Sequence, residues 1–250
     1  MAAHGAVLFS DDFESYTANG NIGTSIWAEA AGIASYMTAR DENTATPFGT
    51  PNQYARLADS GIGNGQFIRL LSPTLVDTAN ALTTLQFDFF EPTDTGNSVM
   101  RFGYAGDDGA RYDLNSGGAR LVATLNNGTI GGVSGGTSNS YSMDTAYTMY
   151  LIFNDTNSAA TYMGGSIAAF TAHLWFEQLG SGSPVFAGSV SATNTQDLDG
   201  YAIGFRTFNA ELQELWVDNV VVFEGAAAIP EPTAALLGGV GFLMLLRRRR

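Results

Sequence analysis

From residue 82 to residue 223 the chain alternates apolar and polar side chains over short stretches, each bounded by Gly, Asn or Asp. Leu82 to Glu91 (LTTLQFDFFE) shows it best: Leu85, Phe87 and Phe89 fall on one face, Gln86 and Asp88 on the other. A period of two belongs to an antiparallel strand with one face buried. Residues 98–105, 119–125, 146–153, 170–179, 201–208 and 215–223 have the same length and a similar wealth of β-branched and aromatic side chains, and predict further strands. No stretch before Ile229 sustains a period of 3.6, so little helix is expected. Many short strands with glycine-rich turns call for two packed antiparallel sheets, and the expected architecture is an all-β jelly-roll sandwich over residues 7–224. The glycine-rich stretch Asn126 to Gly136 (NNGTIGGVSGG) reads as a long mobile loop, placed to rim a binding face.

Composition agrees with the pattern. Of 250 residues, 30 are glycine and 14% are charged, which suits twisted strands and tight turns better than salt-bridged surface helices. Lysine is absent, and cations are segregated: Arg40, Arg56, Arg69, Arg101, Arg111, Arg120 and Arg206 are scattered, and Arg247 to Arg250 form a terminal run. Without that run and Glu231, the 11 basic and 24 acidic residues become 7 and 23, a formal charge of −16 for the body. Such a body repels phosphate backbones, which argues against a nucleic-acid partner, and resists anionic polysaccharide unless a divalent cation bridges the two. With no cysteine there is no disulfide, thiolate metal site or cysteine nucleophile.

The C-terminus carries the most specific signal. Ala234 to Leu246 (AALLGGVGFLMLL) has no polar side chain and runs straight into Arg247, Arg248, Arg249 and Arg250. A helix over this run is short for a bilayer core of ~30 Å, a marginal anchor whose arginines stay on the cytoplasmic side. Before it stands Pro230-Glu231-Pro232, two prolines that hold one carboxylate on an extended, helix-incompatible segment. The order Pro-Glu-Pro, short apolar helix, arginine cluster resembles the PEP-CTERM sorting signal recognised by exosortases. The resemblance covers about the last 22 residues. It implies that Pro230, Glu231 and Pro232 are the recognition motif, that residues 225–233 are a linker, that 234–250 are a transient membrane helix with a cytoplasmic stop, and that an exosortase-type processing enzyme is a partner. Residues 1–6 depart from the family, having neither a basic region nor an apolar core, and are read as a disordered remnant or a truncated signal region.

A second resemblance covers roughly residues 7–224. The opening Phe9-Ser10-Asp11-Asp12-Phe13-Glu14-Ser15-Tyr16 and the closing Trp216-Val217-Asp218-Asn219-Val220-Val221-Val222 are similar to the first and last strands of concanavalin-A-like, laminin-G-like domains. That fold sets its terminal strands side by side, which places Asp12 and Glu14 near Asp218. Three such carboxylates are hard oxygen ligands of the kind a structural calcium ion takes. The alternative is that Asp12 and Asp218 accept backbone hydrogen bonds at strand ends. Asp107-Asp108-Gly109 and Asp197-Leu198-Asp199-Gly200 look like fragments of calcium loops, but lack the remaining ligands of an EF-hand and read as turns.

Catalytic chemistry finds little support. The alternating carboxylates of concanavalin-like glucanases are missing; Asp88 and Glu91, and likewise Glu211 and Glu214, sit three apart on opposite strand faces. The histidines are His4, near the start, and His173, on a polar strand face; no serine elbow or phosphate-binding loop accompanies them. Tyr104, Tyr112, Tyr141 and Trp175 are candidates to stack on sugar rings, against the alternative that each packs in the core or at an edge. The resulting expectation is an exported, non-catalytic surface or matrix protein, an inner-membrane intermediate before its tail is processed, with exopolysaccharide as a partner. A carbohydrate-binding module and a secreted glycosidase are the alternatives.

Overall fold

The computed structural model describes residues 5–20, 22, 27–29, 37–42, 47–59, 67–70, 82–93, 100–105, 120–162, 165–193, 200–205 and 213–229. In chain order the strands are β1 (Val7–Asp11), β2 (Trp27–Glu29), β3 (Met37–Glu42), β4 (Asn52–Asp59), β5 (Phe67–Leu70), β6 (Leu82–Phe90), β7 (Met100–Ala105) and β8 (Arg120–Asn126), followed by β9 (Thr129–Gly131), β10 (Ala146–Asn154), β11 (Ala160–Tyr162), β12 (Gly165–Ile167), β13 (Thr171–Gln178), β14 (Val185–Ser191), β15 (Gly200–Phe205) and β16 (Gln213–Glu224). There is no helix among the described residues. The seven stretches read as strands from their period of two are β6, β7, β8, β10, β13, β15 and β16. Strands β2 to β5, β11, β12 and β14 have no counterpart in that reading; in β14 (VFAGSVS) one glycine and two serines hide the period.

Every pairing is antiparallel. One sheet runs β14-β13-β10-β6-β16-β4-β3 with β1 also on β16; the other runs β2-β5-β15-β7-β8-β9; β11 and β12 form a separate hairpin. The two large sheets are the layers of a sandwich, because their facing apolar rows share one core. Leu85, Phe87 and Phe89 of β6 and Met149, Leu151 and Phe153 of β10 pack there with Phe102 and Tyr104 of β7 and Leu121, Ala123 and Leu125 of β8. Tyr104 stacks on Phe153 with centroids 4.8 Å apart, and Phe87 meets Phe102 edge-on at 5.3 Å.

Strand β16 is long enough to serve two partners along one edge. Its first half pairs with β4, Val217 opposite Ala55, and its second half with β1, Val220 opposite Asp11. The terminal strands therefore lie side by side. After β1 the chain turns under the sandwich at Asp11, whose buried carboxylate accepts from Phe13 N–H (2.9 Å), Tyr16 Oη (2.8 Å) and Trp27 Nε1 (2.5 Å).

A second apolar cluster lies on the opposite, outer face of the larger sheet: Leu82, Ile152, Ile167, Trp175 and Phe223, with Ala227 and Ile229. The β11–β12 hairpin and the chain beyond β16 cover this end of the face. Gly225 N–H bonds Leu82 C=O (2.7 Å) and Ala227 N–H bonds the Thr84 hydroxyl (3.0 Å). The first residues of the expected linker are thus packed on the sheet up to Ile229, because small and branched apolar side chains there extend the cluster. The rest of the tail, including Pro230, Glu231, Pro232 and Arg247 to Arg250, lies outside the described residues. Within the described residues no helix is long and apolar enough to cross a membrane.

The glycine-rich stretch is not a free loop. Asn127 and Gly128, at φ 45° and 75°, make the two-residue turn of the β8–β9 hairpin. Beyond it the chain straps the edge strand β14, with Ser134 and Ser189 exchanging N–H···O=C bonds at 3.0 and 2.8 Å and Thr137 N–H on Phe186 C=O. Glycine is required for this approach: a Cβ on Gly136 would stand 1.9 Å from Ala187 C=O.

Candidate functional site

The register of four neighbouring strands lines polar side chains across the outer face. Asp218 of β16 faces Asp88 of β6, Asp88 faces Thr148 of β10, and Thr148 faces Glu177 of β13. Asp88 accepts from Thr148 Oγ1–H at 2.6 Å and from Asn219 Nδ2–H at 2.9 Å. Asp218 accepts from Asn219 N–H at 2.8 Å, from Asn52 Nδ2–H at 2.9 Å and from Asn219 Nδ2–H at 3.3 Å. One amide nitrogen therefore bonds both carboxyl groups. Asn219 holds it there from the left-handed region (φ 48°), at a register shift between Asp218 and Val221.

Asp218 is fully buried and Asp88 6% exposed. Loss of hydration disfavours a carboxylate, so burial drives both acids upward, and nearby carboxylates add to it. Burial, with Asp88 and Glu14 adding repulsion, pushes Asp218 up to about 7 against the hydrogen bonds from Asn52 and Asn219. Burial also raises Asp88, opposed by Thr148 and Asn219 and reinforced by Glu177. Glu177 itself is held by Tyr150 Oη–H (2.7 Å) and Ser183 N–H (2.8 Å).

Beside this row stands an aromatic one. Trp216 is stacked between Tyr54 and Phe90, centroids 4.8 Å away on each side. Its Nε1–H bonds Glu214, which also takes the Arg56 guanidinium. Tyr54 is buried, whereas Trp216 and Phe90 are half-buried. At the hairpin end of the same face, Tyr162, His173, Trp175 and Phe186 form a second group of rings, 5.0 to 5.7 Å between neighbouring centroids.

The sequence-based candidates fare unevenly. Tyr104 and Tyr141 are core residues rather than sugar platforms: Tyr104 is fully enclosed, and Tyr141 gives its hydroxyl to buried Glu91 at 2.5 Å. Trp175 is 7% exposed, packed under the hairpin. Tyr112, Glu211, Asp107, Asp108, Asp197 and Asp199 lie outside the described residues. Asp88 is on the face opposite Leu85, Phe87 and Phe89, as the alternation requires, but it is buried there too, among its neighbours on the sheet. Glu91 joins no acidic pair; its carboxylate receives Asn127 N–H (3.2 Å) and Gly128 N–H (3.1 Å) and anchors the β8–β9 turn. Trp216, Phe90, Asn219 and the Asp88–Asp218 pair were not singled out. Phe90 and Trp216 are 126 residues apart and Asp88 is 131 from Asn219, and only the alternation of β6 and β16 put them on one side.

Of the three expected calcium ligands, Glu14 and Asp218 are drawn to adjacent residues of β4. Glu14 Oε1 accepts from Gln53 N–H (2.8 Å) and Asp218 from the Asn52 amide (2.9 Å). Asp12 is exposed in the turn, with Oδ1 on Glu14 N–H (3.2 Å), and lines a hollow of about 270 Å³ shared with Asp11, Tyr16 and Asn219. Among the described residues no group of three or more His, Cys, Asp or Glu side chains is arranged to hold a metal ion. A calcium ion at this junction therefore needs uncharged oxygens as well, and Asn52 Oδ1 is buried there without a hydrogen-bond partner. That orphaned oxygen beside Asp218 fits a hard cation.

No family model matches the chain, and no curated protein sequence does. Solved structures do resemble it. The catalytic domain of a glycoside hydrolase family 131 protein from Coprinopsis cinerea aligns over 91% of this chain and 98% of its own, at 12% identity and a TM-score of 0.54. A protein of unknown function from Shewanella oneidensis aligns over 89% and 87%, at 13% identity and a TM-score of 0.51. At such identity the likeness is one of fold: the chain is an antiparallel β-sandwich of the architecture these proteins share.

Proposed function

We propose that this protein is an exported, non-catalytic sandwich domain that associates with polysaccharide through the outer face of its larger sheet, and that its C-terminal tail is a PEP-CTERM sorting signal. The observation that carries the binding reading is the stack of Tyr54, Trp216 and Phe90. Trp216 has a ring against each of its faces, so what the stack offers is the half-buried Phe90 at its end and the edge of Trp216, apolar area on which the apolar face of a sugar ring packs. A jelly-roll, concanavalin-A-like connection of the strands belongs to this reading, and so does the glycoside hydrolase among the similar folds, by analogy of architecture alone. The sorting reading rests on the order Pro230-Glu231-Pro232, apolar run, Arg247 to Arg250. It implies an inner-membrane intermediate, an exosortase-type enzyme as partner, and a final place at the cell surface or in the matrix.

A structural calcium ion is part of the proposal, held by Glu14 and Asp218 with Asn52 Oδ1, and with Asp12 at the mouth of the adjoining hollow. It would tie the N-terminal turn to the last strand.

The facing pair Asp88 and Asp218 favours a second reading, a secreted glycosidase, since paired carboxyls with a raised pKa are what such chemistry uses. Their burial weighs against it, because neither group reaches a glycosidic bond on the surface.

The test is made in the native host. Replacing Pro230-Glu231-Pro232 by alanines should leave unprocessed precursor in the inner membrane, and normal release would dismiss the sorting role. Purified protein should sediment with the host's exopolysaccharide and lose this on Trp216→Ala. Hydrolysis of that polymer, abolished by Asp88→Asn, would instead establish the enzyme.

A further inference from the structure

On the outer face at the hairpin end, three side chains form a hydrogen-bond chain. Trp175 Nε1–H lies 2.9 Å from Tyr162 Oη. An indole nitrogen only donates, so the tyrosine oxygen accepts there and keeps its own proton. His173 Nδ1 stands 2.9 Å from the same oxygen. When the hydroxyl donates to it, the accepting ring nitrogen carries no hydrogen and the neutral imidazole holds its proton on Nε2. Burial lowers the His173 pKa from its ordinary value of 6.5, which keeps the ring neutral near pH 7. No described residue hydrogen-bonds its Nε2, and the ring is half-buried.

The indole and hydroxyl thus preset one free donor within an aromatic frame. Phe186, half-buried on edge strand β14, meets His173 edge-on at 5.1 Å and Trp175 at 5.0 Å. A sheet face built only to be covered by the hairpin has no use for an imidazole nitrogen left without a protein partner, and the ring would be more cheaply replaced by a second phenyl.

We infer that His173 Nε2–H and the ring of Phe186 form a subsite for a neutral pyranose, the ring packing on Phe186 and a hydroxyl or acetamido oxygen accepting from the imidazole. This rests on the polysaccharide reading proposed above and names the sugar class of its far end. The charge of the body supports a neutral sugar over a uronate: its formal charge is −16, and Arg56, a cation on this face, is paired with Glu214 at the other end.

Full-length protein in detergent would be titrated with cellohexaose, xylohexaose and chitohexaose, and with a hexauronate as control. His173→Phe keeps the aromatic frame and removes the donor; Tyr162→Phe keeps the ring and releases the tautomer. We expect a neutral hexasaccharide to bind, His173→Phe to weaken it about tenfold with a melting temperature close to that of the parent, and Tyr162→Phe to weaken it severalfold with a lower melting temperature, since Trp175 Nε1–H loses its acceptor. Independently of any glycan, long-range nitrogen NMR of the imidazole should show the proton on Nε2, and a proton on Nδ1 would overturn the assignment. If the parent binds and His173→Phe binds within twofold, the subsite falls while the polysaccharide reading stands. If no neutral hexasaccharide binds and only the hexauronate does, the sugar class is wrong; if none binds, both fall.

Discussion

Asp88 and Asp218 face one another across β6 and β16, and a single nitrogen, Asn219 Nδ2, hydrogen-bonds both of them. Burial raises both acids, with Glu14 adding repulsion at Asp218 and Glu177 at Asp88, against the hydrogen bonds they accept, and a cation beside them would favour their ionised forms. If calcium serves this junction, excess chelator should lower the melting temperature by several degrees. Asp218→Asn should be insensitive to chelator. A melting temperature that does not move in the parent protein would remove the ion from the account.

Trp216→Ala takes away the middle ring of a three-ring stack and the donor to Glu214. The expected cost is about 2–3 kcal/mol of stability, less than for a fully buried tryptophan, since one part of the ring is already in water. Chemical denaturation measures it. Trp216→Phe should recover most of the stability, and with it the sedimentation with polysaccharide.

Glu91 is 2% exposed and accepts from Asn127 N–H, Gly128 N–H and Tyr141 Oη. Removing it in Glu91→Ala strands the buried Tyr141 hydroxyl and frees the two turn N–H groups, at about 3 kcal/mol. Glu91→Gln retains one acceptor oxygen and should cost roughly half as much. Equal stability of the two variants would contradict the anchoring role.

Gly136→Ala drives a methyl group into Ala187 C=O and should lift the strap off β14. An exposed edge strand pairs with another copy. The variant should therefore form dimers or larger species by light scattering where the parent stays monodisperse, with little change in the core.

His173 has a lowered pKa in the fold, so the folded protein binds a proton there less readily than the unfolded chain does. Stability from this group is whole above pH 6.5 and declines as pH falls below that value toward the folded pKa. A parallel series of melts with His173→Gln should show that part of the slope gone, and an unchanged slope would mean the loss arises elsewhere.

The fold was largely legible in the sequence because a strand buried on one face imposes its period on its own residues. Leu85, Phe87 and Phe89 announce the core side of β6 without any knowledge of what they touch. Strand β14 and the glycine-rich strap escaped for the opposite reason. Glycine carries no apolar signature, and what makes Gly136 necessary is the carbonyl of Ala187, which local sequence does not reveal.

What the sequence determined by itself was the class of the protein: short period-two strands, an acidic lysine-free body, and an ordered tail of Pro-Glu-Pro, apolar run and arginines. The tertiary structure decided the chemistry of the outer face. Asp88 and Asp218, Trp216 and Phe90, Tyr162 and His173 are each paired by strand register or by a hairpin folding back, and register depends on the whole sheet rather than on neighbours along the chain. Burial then changed what those side chains are, raising two carboxylic acids and lowering one imidazole, since the cost of a charge is set by what surrounds it.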